Sequence, residues 1–233
     1  MNKHLLFIDT EASGLPGNWT LPYSADSNWP HIVQVAWQIY DENRSLIKQQ
    51  NHFIYTEGIE ITPSAVDTHG LTPDFLAKNG ELPAKVMEIL ANDLVEYEPT
   101  VIGHFMQLDY YLIGAAFYRT GVYNPIGNLP VFCTMVATTQ LLRSPSTRQL
   151  RLGDLYYMLF KADLQHQHNA LNDAQATAES FFELRDRGEI TEKEIIQQNK
   201  DFELQRIPSK KPKGCFVPTL IIILLLIITI CNL

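Results

Sequence analysis

The first strand candidate limits the fold more than any other feature of this chain. Residues 5–8 (LLFI) form a continuous apolar run that leads directly into the carboxylates Asp9 and Glu11. A short run that is apolar on both faces is typical of a strand buried in the middle of a sheet. Because side chains alternate along a strand, Asp9 and Glu11 are predicted to lie on the same side of it. A central strand therefore carries two acids to one edge of a sheet.

The rest of the pattern predicts two more strands and then mostly helices. Segments 31–40 and 46–55 are read as strands that form an antiparallel meander with the first. Two short strands are expected further on, at 100–103 and 131–133. Helices are expected at 82–97, 107–119, 134–142, 150–160, 171–187 and 191–198. Strands followed by alternating helices and strands predict an α/β fold, in which helices cover a mixed sheet.

Charge and cysteine content limit the partners of such a domain. The 233 residues include 18 Lys and Arg against 26 Asp and Glu, a formal net charge of −8. A protein that holds nucleic acid by bulk positive charge has the opposite balance. An enzyme acting on nucleic acid stays compatible, because bound divalent metals reverse the sign locally. The three cysteines, Cys133, Cys215 and Cys231, do not have the spacing of a disulfide framework or zinc site, which fits a reducing compartment.

The C-terminal segment predicts a membrane anchor. Residues 216–233 contain no charged side chain and include nine consecutive Leu and Ile residues. As a helix they would span about 27 Å, close to the ~30 Å hydrocarbon core of a bilayer. The alternative is a buried core helix or strand, because the segment is short and contains Pro218. The basic residues just before it favour the cytoplasmic side. They are Arg206, Lys210, Lys211 and Lys213.

This pattern predicts three parts and a location. The parts are a folded domain at 1–199, a polar basic linker at 200–214 and a transmembrane tail anchor at 215–233. The expected location is a membrane, to which residues 216–233 anchor the protein, with the folded domain in the cytoplasm.

The acid pair after the first strand is a candidate metal site. Two carboxylates held together in a protein interior repel each other and are costly to desolvate. A hard divalent cation removes both penalties, and Mg²⁺ and Mn²⁺ prefer oxygen ligands. A second Asp-x-Glu copy, Asp201 and Glu203, has no strand before it and is interpreted as solvated surface. The strand context, rather than the motif, makes Asp9 and Glu11 a candidate site.

Three further residues are candidates for the same site. Asp109 stands in an otherwise apolar helix, where capping the helix N-terminus is the alternative role. Asp173 lies in the first turn of the helix at 171–187, where the helix dipole favours an ionised carboxylate. His168 lies in the loop before that helix, and taken alone it is more typical of an ordinary surface histidine.

Together, these five residues resemble those of the DEDDh 3′–5′ exonuclease family. That family includes the proofreading epsilon subunit of DNA polymerase III, ribonuclease T and oligoribonuclease. The three motifs, in the family's order, are 8–16 (IDTEASGLP), 102–109 (IGHFMQLD) and 168–174 (HNALNDA). The segments 61–65 (ITPSA) and 69–72 (HGLT) are similar to an insert of the epsilon type. The likeness covers about residues 5–184.

The chain departs from the family pattern at two places. Phe105 and Leu108 stand where the family commonly has an asparagine and an aromatic residue, which puts the hydrogen bonding around Asp109 in question. A predicted membrane span also stands where the epsilon subunit has a polymerase-binding segment.

The resemblance implies a fold, a reaction and a metal. It implies an RNase H-like mixed five-stranded sheet and phosphodiester hydrolysis with two Mg²⁺ or Mn²⁺ ions. Asp9 would hold both ions, Glu11 and Asp173 the first, and Asp109 the second. His168 would accept a proton from the attacking water. The products would be nucleoside 5′-monophosphates, released from a free 3′ end.

The resemblance also implies how the substrate is held. The main chain around Thr10 and Ala12 would meet the terminal nucleotide, and Leu15 would wedge against the last base. Beyond that, a loop carries three aromatic residues, which either stack further bases or fold into a cluster of their own. These are Trp19, Tyr23 and Trp29. His104 could line the site, although a structural hydrogen bond is the favoured interpretation.

The leading hypothesis is therefore an anchored 3′–5′ exonuclease acting on single-stranded DNA. One alternative is an exoribonuclease acting on RNA 3′ ends or short oligonucleotides. Another, of a different class, is an inactive exonuclease-like adaptor that binds nucleic acid. The presence of all five catalytic residue types argues against the adaptor. The sequence assigns no protein partner.

Overall fold

The computed structural model describes residues 3–140 and 149–206. Within those ranges the chain forms five strands and eight α-helices. The strands are β1 (Leu5–Ala12), β2 (Ile32–Tyr40), β3 (Leu46–Phe53), β4 (Thr100–Gly103) and β5 (Val131–Cys133). The helices are α1 (Pro63–His69), α2 (Pro73–Asn79), α3 (Pro83–Tyr97), α4 (Met106–Thr120), α5 (Thr134–Ala137), α6 (Leu152–Phe160), α7 (Ala170–Asp186) and α8 (Glu192–Gln205).

The strands form one mixed sheet with β1 in the middle. Their order is β3-β2-β1-β4-β5. The first three strands are an antiparallel meander, and β4 and β5 add parallel to β1. Because β1, β4 and β5 run the same way, their carboxyl ends meet at one edge of the sheet. The predicted mixed five-stranded sheet is confirmed, and this edge carries the two acids at the end of β1.

The apolar run of β1 packs on both faces of the sheet. Leu6 and Ile8 face a core formed with α3 and α4, whereas Phe7 faces a second core formed with α6, α7 and α8. All three side chains are fully buried. This is the burial expected of a central strand whose residues alternate between two helical layers.

Two short helices were not predicted, although the sequence carries a signal for each. Both α1 and α2 have a threonine N-cap, Thr62 and Thr72, whose side chain accepts a backbone N–H, followed by proline at the first helical position. Threonine before proline is a favoured start for a helix. The helix expected at 134–142 is shorter, since α5 ends at Ala137. The last helix, predicted at 191–198, has Thr191 as its N-cap with a capping box, and it continues to Gln205.

The fold prediction is corrected on one point, the transmembrane helix. Among residues 3–140 and 149–206, no helix has the length and apolar character needed to cross a bilayer. The longest of them, α7, has 17 residues, buries one face and carries half-buried or exposed charged side chains on the other. Helices of this kind cover a sheet and do not present an apolar surface all round. The predicted anchor at 215–233 lies outside the described residues.

Candidate active site

The end of β1 presents the first two acids of the site. Asp9 is half-buried, and Glu11 is only 8% exposed. The pairing of β1 with β2 shifts register immediately after Glu11. Irregularities of this kind change the direction of side chains and are common beside active sites. The strand therefore supplies two acids at the point where regular pairing ends.

Asp109 comes to the same edge from the first turn of α4. Its side chain is 3% exposed and accepts a hydrogen bond of 2.7 Å from the Thr10 hydroxyl. A Cβ atom at Gly103, the last residue of β4, would lie 3.3 Å from the Asp109 carboxylate. Asp109 is therefore hydrogen-bonded to β1. The alternative role, capping the N-terminus of α4, falls at a different position: the N-cap residue is Phe105, whose side chain makes no cap hydrogen bond.

Asp173 reaches the site from the first turn of α7. The Asn169 side chain caps this helix, so Asp173 is not needed as its cap. One Asp173 oxygen, Oδ2, accepts the backbone N–H of His168 at 2.9 Å. The other, Oδ1, is buried and has no hydrogen-bond partner. Ligand atoms of Glu11, His168 and Asp173 all lie within 4.8 Å of one another.

The electrostatics of this cluster are those of acids held together without a counter-charge. Burial, and then the charges of Asp109, Asp173 and Glu11, raise the pKa of Asp9 well above its usual value. Burial, and then Asp173 and Asp109, raise the pKa of Glu11 to about 8. Burial raises the pKa of Asp109 to about 7, although the Thr10 hydrogen bond opposes the rise. Burial also raises the pKa of Asp173.

This chemistry fits divalent cations. Four carboxylates share a confined edge, their pKa values are raised, and one buried oxygen lacks a donor. A cation that takes oxygen ligands would remove both the repulsion and the unpaired oxygen. The sequence-predicted metal ligands are thus brought to one place, with His168 exposed beside them.

The raised acid pKa values predict a stability penalty that grows with pH. A raised folded-state pKa gives stability that is complete at low pH and is lost as pH rises through that value. For Glu11 the window runs from about pH 4.5 to about pH 8. We expect Glu11→Gln to stabilise the metal-free protein at pH 8 by about 2 kcal/mol, or about 4–8 °C in Tm, and by less at pH 5. Thermal unfolding in EDTA measures this.

The effect of Glu11 must be read from the difference between variants, because buried histidines change the free energy of unfolding with pH in the opposite direction. Burial lowers the pKa of His104 to about 4, so His104 makes the fold less stable as the pH falls below the ordinary histidine range. Asp201→Asn, in the surface copy of the motif, serves as the control and should leave Tm unchanged at both pH values. A lower Tm for Glu11→Gln at pH 8 would contradict the penalty.

His69 is a residue beside the site to which the sequence assigned no role. It lies at the end of α1, where its Nε2 donates to the Ala12 carbonyl at 3.2 Å and its Nδ1 accepts the Leu71 N–H at 3.0 Å. Burial lowers its pKa, and the charge of His168 lowers it further. His69 thus ties α1 to the end of β1. The sequence signal for His69 is the segment 69–72, which is similar to the family's insert but indicates no chemical role.

The aromatic loop folds into a cluster of its own. Trp29 is buried, stacks on Tyr111 with ring centroids 4.8 Å apart, and donates its Nε1–H to the Pro22 carbonyl. Tyr23 lies over Gly114, where a Cβ atom would be 2.6 Å from the tyrosine ring. Trp19 packs against Trp29 edge to face. Of the two alternatives, the structure thus shows the cluster for Trp29 and Tyr23.

The side chains near Asp109 include Phe105 and Leu108, the two residues at which this chain departs from the family's second motif. Phe105 packs on Trp19, with ring centroids 5.6 Å apart, and Leu108 packs against the α4 side of the core. His104 contacts the Thr134 hydroxyl at 2.9 Å and the Leu150 carbonyl at 3.0 Å, so it is structural. Asp109 receives its hydrogen bond from Thr10 instead. Phe105 and Leu108 therefore contribute to packing, and the Asp109 carboxylate still has a hydrogen-bond donor.

Solved structures with a similar fold are exonucleases. Escherichia coli exonuclease I in complex with a dT13 oligonucleotide is 18% identical with a TM-score of 0.65, over 80% of this chain and 42% of that chain. The zinc ion bound form of the E. coli exonuclease I–ssDNA complex gives 18% and 0.66, over 84% and 42%. A moderately thermophilic exonuclease I from Methylocaldum szegediense gives 22% and 0.62, over 79% and 40%. At these identities the likeness shows the fold, and this chain spans about two fifths of each relative.

The sequence comparison identifies the family. No curated protein matches this chain. The RNase T exonuclease family model matches residues 6–181, a range that includes all five residues predicted for the site. The resemblance found in the sequence is confirmed, and the chain belongs to the RNase T family of exonucleases.

Proposed function

We propose that this protein shortens single-stranded DNA from its 3′ end and releases nucleoside 5′-monophosphates. The observation that carries the proposal is the convergence of four acids and His168 at the carboxyl edge of the sheet. Family membership supports the reaction class. The oligonucleotides dT13 and dA16, held by exonuclease I structures of similar fold, support single-stranded DNA as the substrate.

The acids are the proposed ligands of two Mg²⁺ or Mn²⁺ ions. Asp9 would hold both ions, Glu11 and Asp173 would complete one site, and Asp109 would hold the other. When bound, the ions supply positive charge that stabilises the charge developing on the phosphate. The same charge lets an acidic protein accept a polyanionic substrate.

The side chains around the acids have distinct proposed roles. His168 is exposed at the mouth of the site and would accept a proton from the attacking water. Its backbone N–H fixes the orientation of Asp173, while the Thr10 hydroxyl fixes Asp109. The hydrogen bond from His69 holds the Ala12 carbonyl, and with it the main chain that would meet the terminal nucleotide.

Leu15 is the residue proposed to wedge against the last base. It is 75% exposed, on a loop held by hydrogen bonds from Ser13 N–H to the His31 carbonyl and from Thr62 N–H to the Ser13 carbonyl. Burying an aliphatic carbon contributes about 0.8 kcal/mol, and partial loss of such a contact costs about 1 kcal/mol, so we expect Leu15→Ala to raise KM for single-stranded DNA roughly fivefold. Steady-state kinetics measure this.

The control for Leu15 is Leu204→Ala. Leu204 is 86% exposed on α8 and lies within a helix that tolerates alanine. It should change neither KM nor Tm. A KM for Leu15→Ala equal to that of the native protein would remove Leu15 from the substrate site.

The proposed activity is tested with the full chain and labelled substrates. We would supply Mg²⁺ or Mn²⁺ with 5′-labelled single-stranded DNA, duplex DNA and RNA, and resolve the products with time. We expect a ladder that shortens from the 3′ end and is fastest on single-stranded DNA. Faster cleavage of RNA would favour the exoribonuclease alternative. Binding without cleavage would favour the adaptor, and cleavage of circular single-stranded DNA would rule out an exonuclease.

A further inference from the structure

Gln34 is a buried amide that connects three elements of the fold. It lies on β2, and its side chain is fully buried. Its Nε2 donates to the Asn51 side chain on β3 at 2.9 Å, while its Oε1 accepts the backbone N–H of Ala170 at 3.3 Å. Burying an amide costs free energy unless its polar atoms are hydrogen-bonded, so these two bonds determine where the Gln34 side chain lies.

Ala170 is the first residue of α7, the helix that carries Asp173 in its first turn. The first N–H groups of a helix have no partners within the helix. The side chain of the N-cap residue, Asn169, accepts the second and third of these N–H groups. Gln34 accepts the first, that of Ala170. The start of α7 is therefore hydrogen-bonded to the sheet through Gln34, in the turn that carries one of the acids.

The backbone of Gln34 is paired with the strand that carries another acid. Gln34 lies opposite Glu11 in the antiparallel ladder, and the register of β1 and β2 shifts immediately after this pair. The carboxylates of Glu11 and Asp173 lie within 4.8 Å of each other. Groups that act together in a site must be held within about 0.5 Å of the productive geometry. Gln34 is bonded to the elements of both acids, so it can control the distance between them.

We propose that Gln34 is a positioning residue that sets the separation of Glu11 and Asp173. It acts through the N–H of Ala170, and the side chains that it places are the ones proposed to hold the first ion. Its effect on cleavage rests on the proposed function, whereas its effect on the arrangement of the acids does not.

Gln38 is a matched control on the same strand. It lies on the same face of β2 as Gln34, because side chains alternate along a strand, and it is only 2% exposed. Its Nε2 also donates to an amide on β3, that of Gln49, at 2.7 Å. Its Oε1 accepts the Tyr40 hydroxyl at 2.9 Å instead of a helix N–H. The two glutamines therefore match in burial and in their bond to β3, and they differ in the bond to α7.

The test compares Gln34→Met with Gln38→Met in the full chain. Methionine fills a similar space without accepting a strong hydrogen bond, so each variant leaves polar partners unpaired and both should lower Tm. The rise in Tm with Mn²⁺, titrated without DNA, gives the apparent Mn²⁺ affinity. We expect this affinity to fall about tenfold or more in Gln34→Met and to be unchanged in Gln38→Met, since groups that orient metal ligands typically contribute about 10–100-fold.

A third variant tests whether the bond to α7 is responsible. Gln34→Glu keeps an acceptor for the Ala170 N–H whether or not the carboxyl group is protonated. It should bind Mn²⁺ within about threefold of the native affinity. Equal Mn²⁺ affinities in Gln34→Met and Gln38→Met would overturn the proposal, and so would an affinity in Gln34→Glu as weak as that in Gln34→Met.

Cleavage of single-stranded DNA separates this proposal from the proposed function. In Gln34→Met we expect kcat to fall about tenfold or more with KM for DNA unchanged, and in Gln38→Met both constants should stay native. A native protein that cleaves DNA, with kcat unchanged in Gln34→Met, would keep the function and overturn the positioning role. Mn²⁺ affinity that depends on Gln34, in a protein that cleaves no DNA, would overturn the function and confirm the positioning role.

Discussion

Replacing Asp9 with asparagine will slow 3′-end cleavage at least about a thousandfold. The charges of Asp109, Asp173 and Glu11 all raise the pKa of Asp9, so Asp9 interacts with each of the other three acids. A ligand that serves both ions contributes several kcal/mol of charge stabilisation, and about 4 kcal/mol corresponds to a thousandfold in rate. Single-turnover cleavage of labelled single-stranded DNA measures the effect.

The matched control is the surface copy of the same motif. Asp201 accepts a hydrogen bond from Gln197 on the exposed side of α8, and Asp201→Asn should change the rate less than twofold. The metal-free Asp9→Asn protein should also unfold at a higher temperature at pH 8, because a repelling charge is removed. Cleavage by Asp9→Asn at the native rate would refute the metal role of the cluster.

His168→Asn should lower kcat by about 10²–10⁴-fold, the usual contribution of a positioned general base. Asparagine keeps the backbone N–H that Asp173 accepts, and it tolerates the left-handed conformation of this residue. The loop and the acids should therefore stay in place while the proton acceptor is lost. Steady-state kinetics at saturating DNA concentrations measure kcat directly.

A second measurement separates the chemical role of His168 from a structural one. The rise in Tm that Mg²⁺ gives the native protein should be the same in His168→Asn, since the oxygen ligands are unchanged. His166→Asn, two residues earlier in the same loop, should match the native protein in both kcat and Tm. If His168→Asn loses the Mg²⁺-dependent rise in Tm, the residue acts on the metal site and not as a base.

Stability and activity thus act in opposite directions at this edge of the sheet. The acids that carry the proposed reaction raise one another's pKa values and weaken the metal-free fold above the ordinary carboxyl range. Clusters of this kind are typical of functional sites, where charges are placed for chemistry rather than for stability. A divalent cation bound there would reverse the penalty and would link folding to metal binding.

The helix and strand pattern was predictable where local signals are strong. The run at 5–8 predicts a buried strand, because it is apolar on both faces, and the segment 191–198 predicts the last helix, whose N-cap is Thr191. The short helices α1 and α2 were missed because each is only 7 residues long and gives little periodic signal. The predicted membrane helix at 215–233 lies outside the described residues, and within those residues no helix is long and apolar enough to cross a bilayer.

The order of residues along the chain specifies which residue types can meet: a strand that ends in two acids, two later helices that each carry an acid in the first turn, and a histidine before the second of these. The folded structure establishes how they are held. The bond from Thr10 to Asp109 joins residues 99 positions apart, and the contact of His69 with Ala12 spans 57. It also decided that Trp29 is buried against Tyr111. Periodicity reports only the face on which a side chain lies, whereas such contacts depend on how distant elements pack.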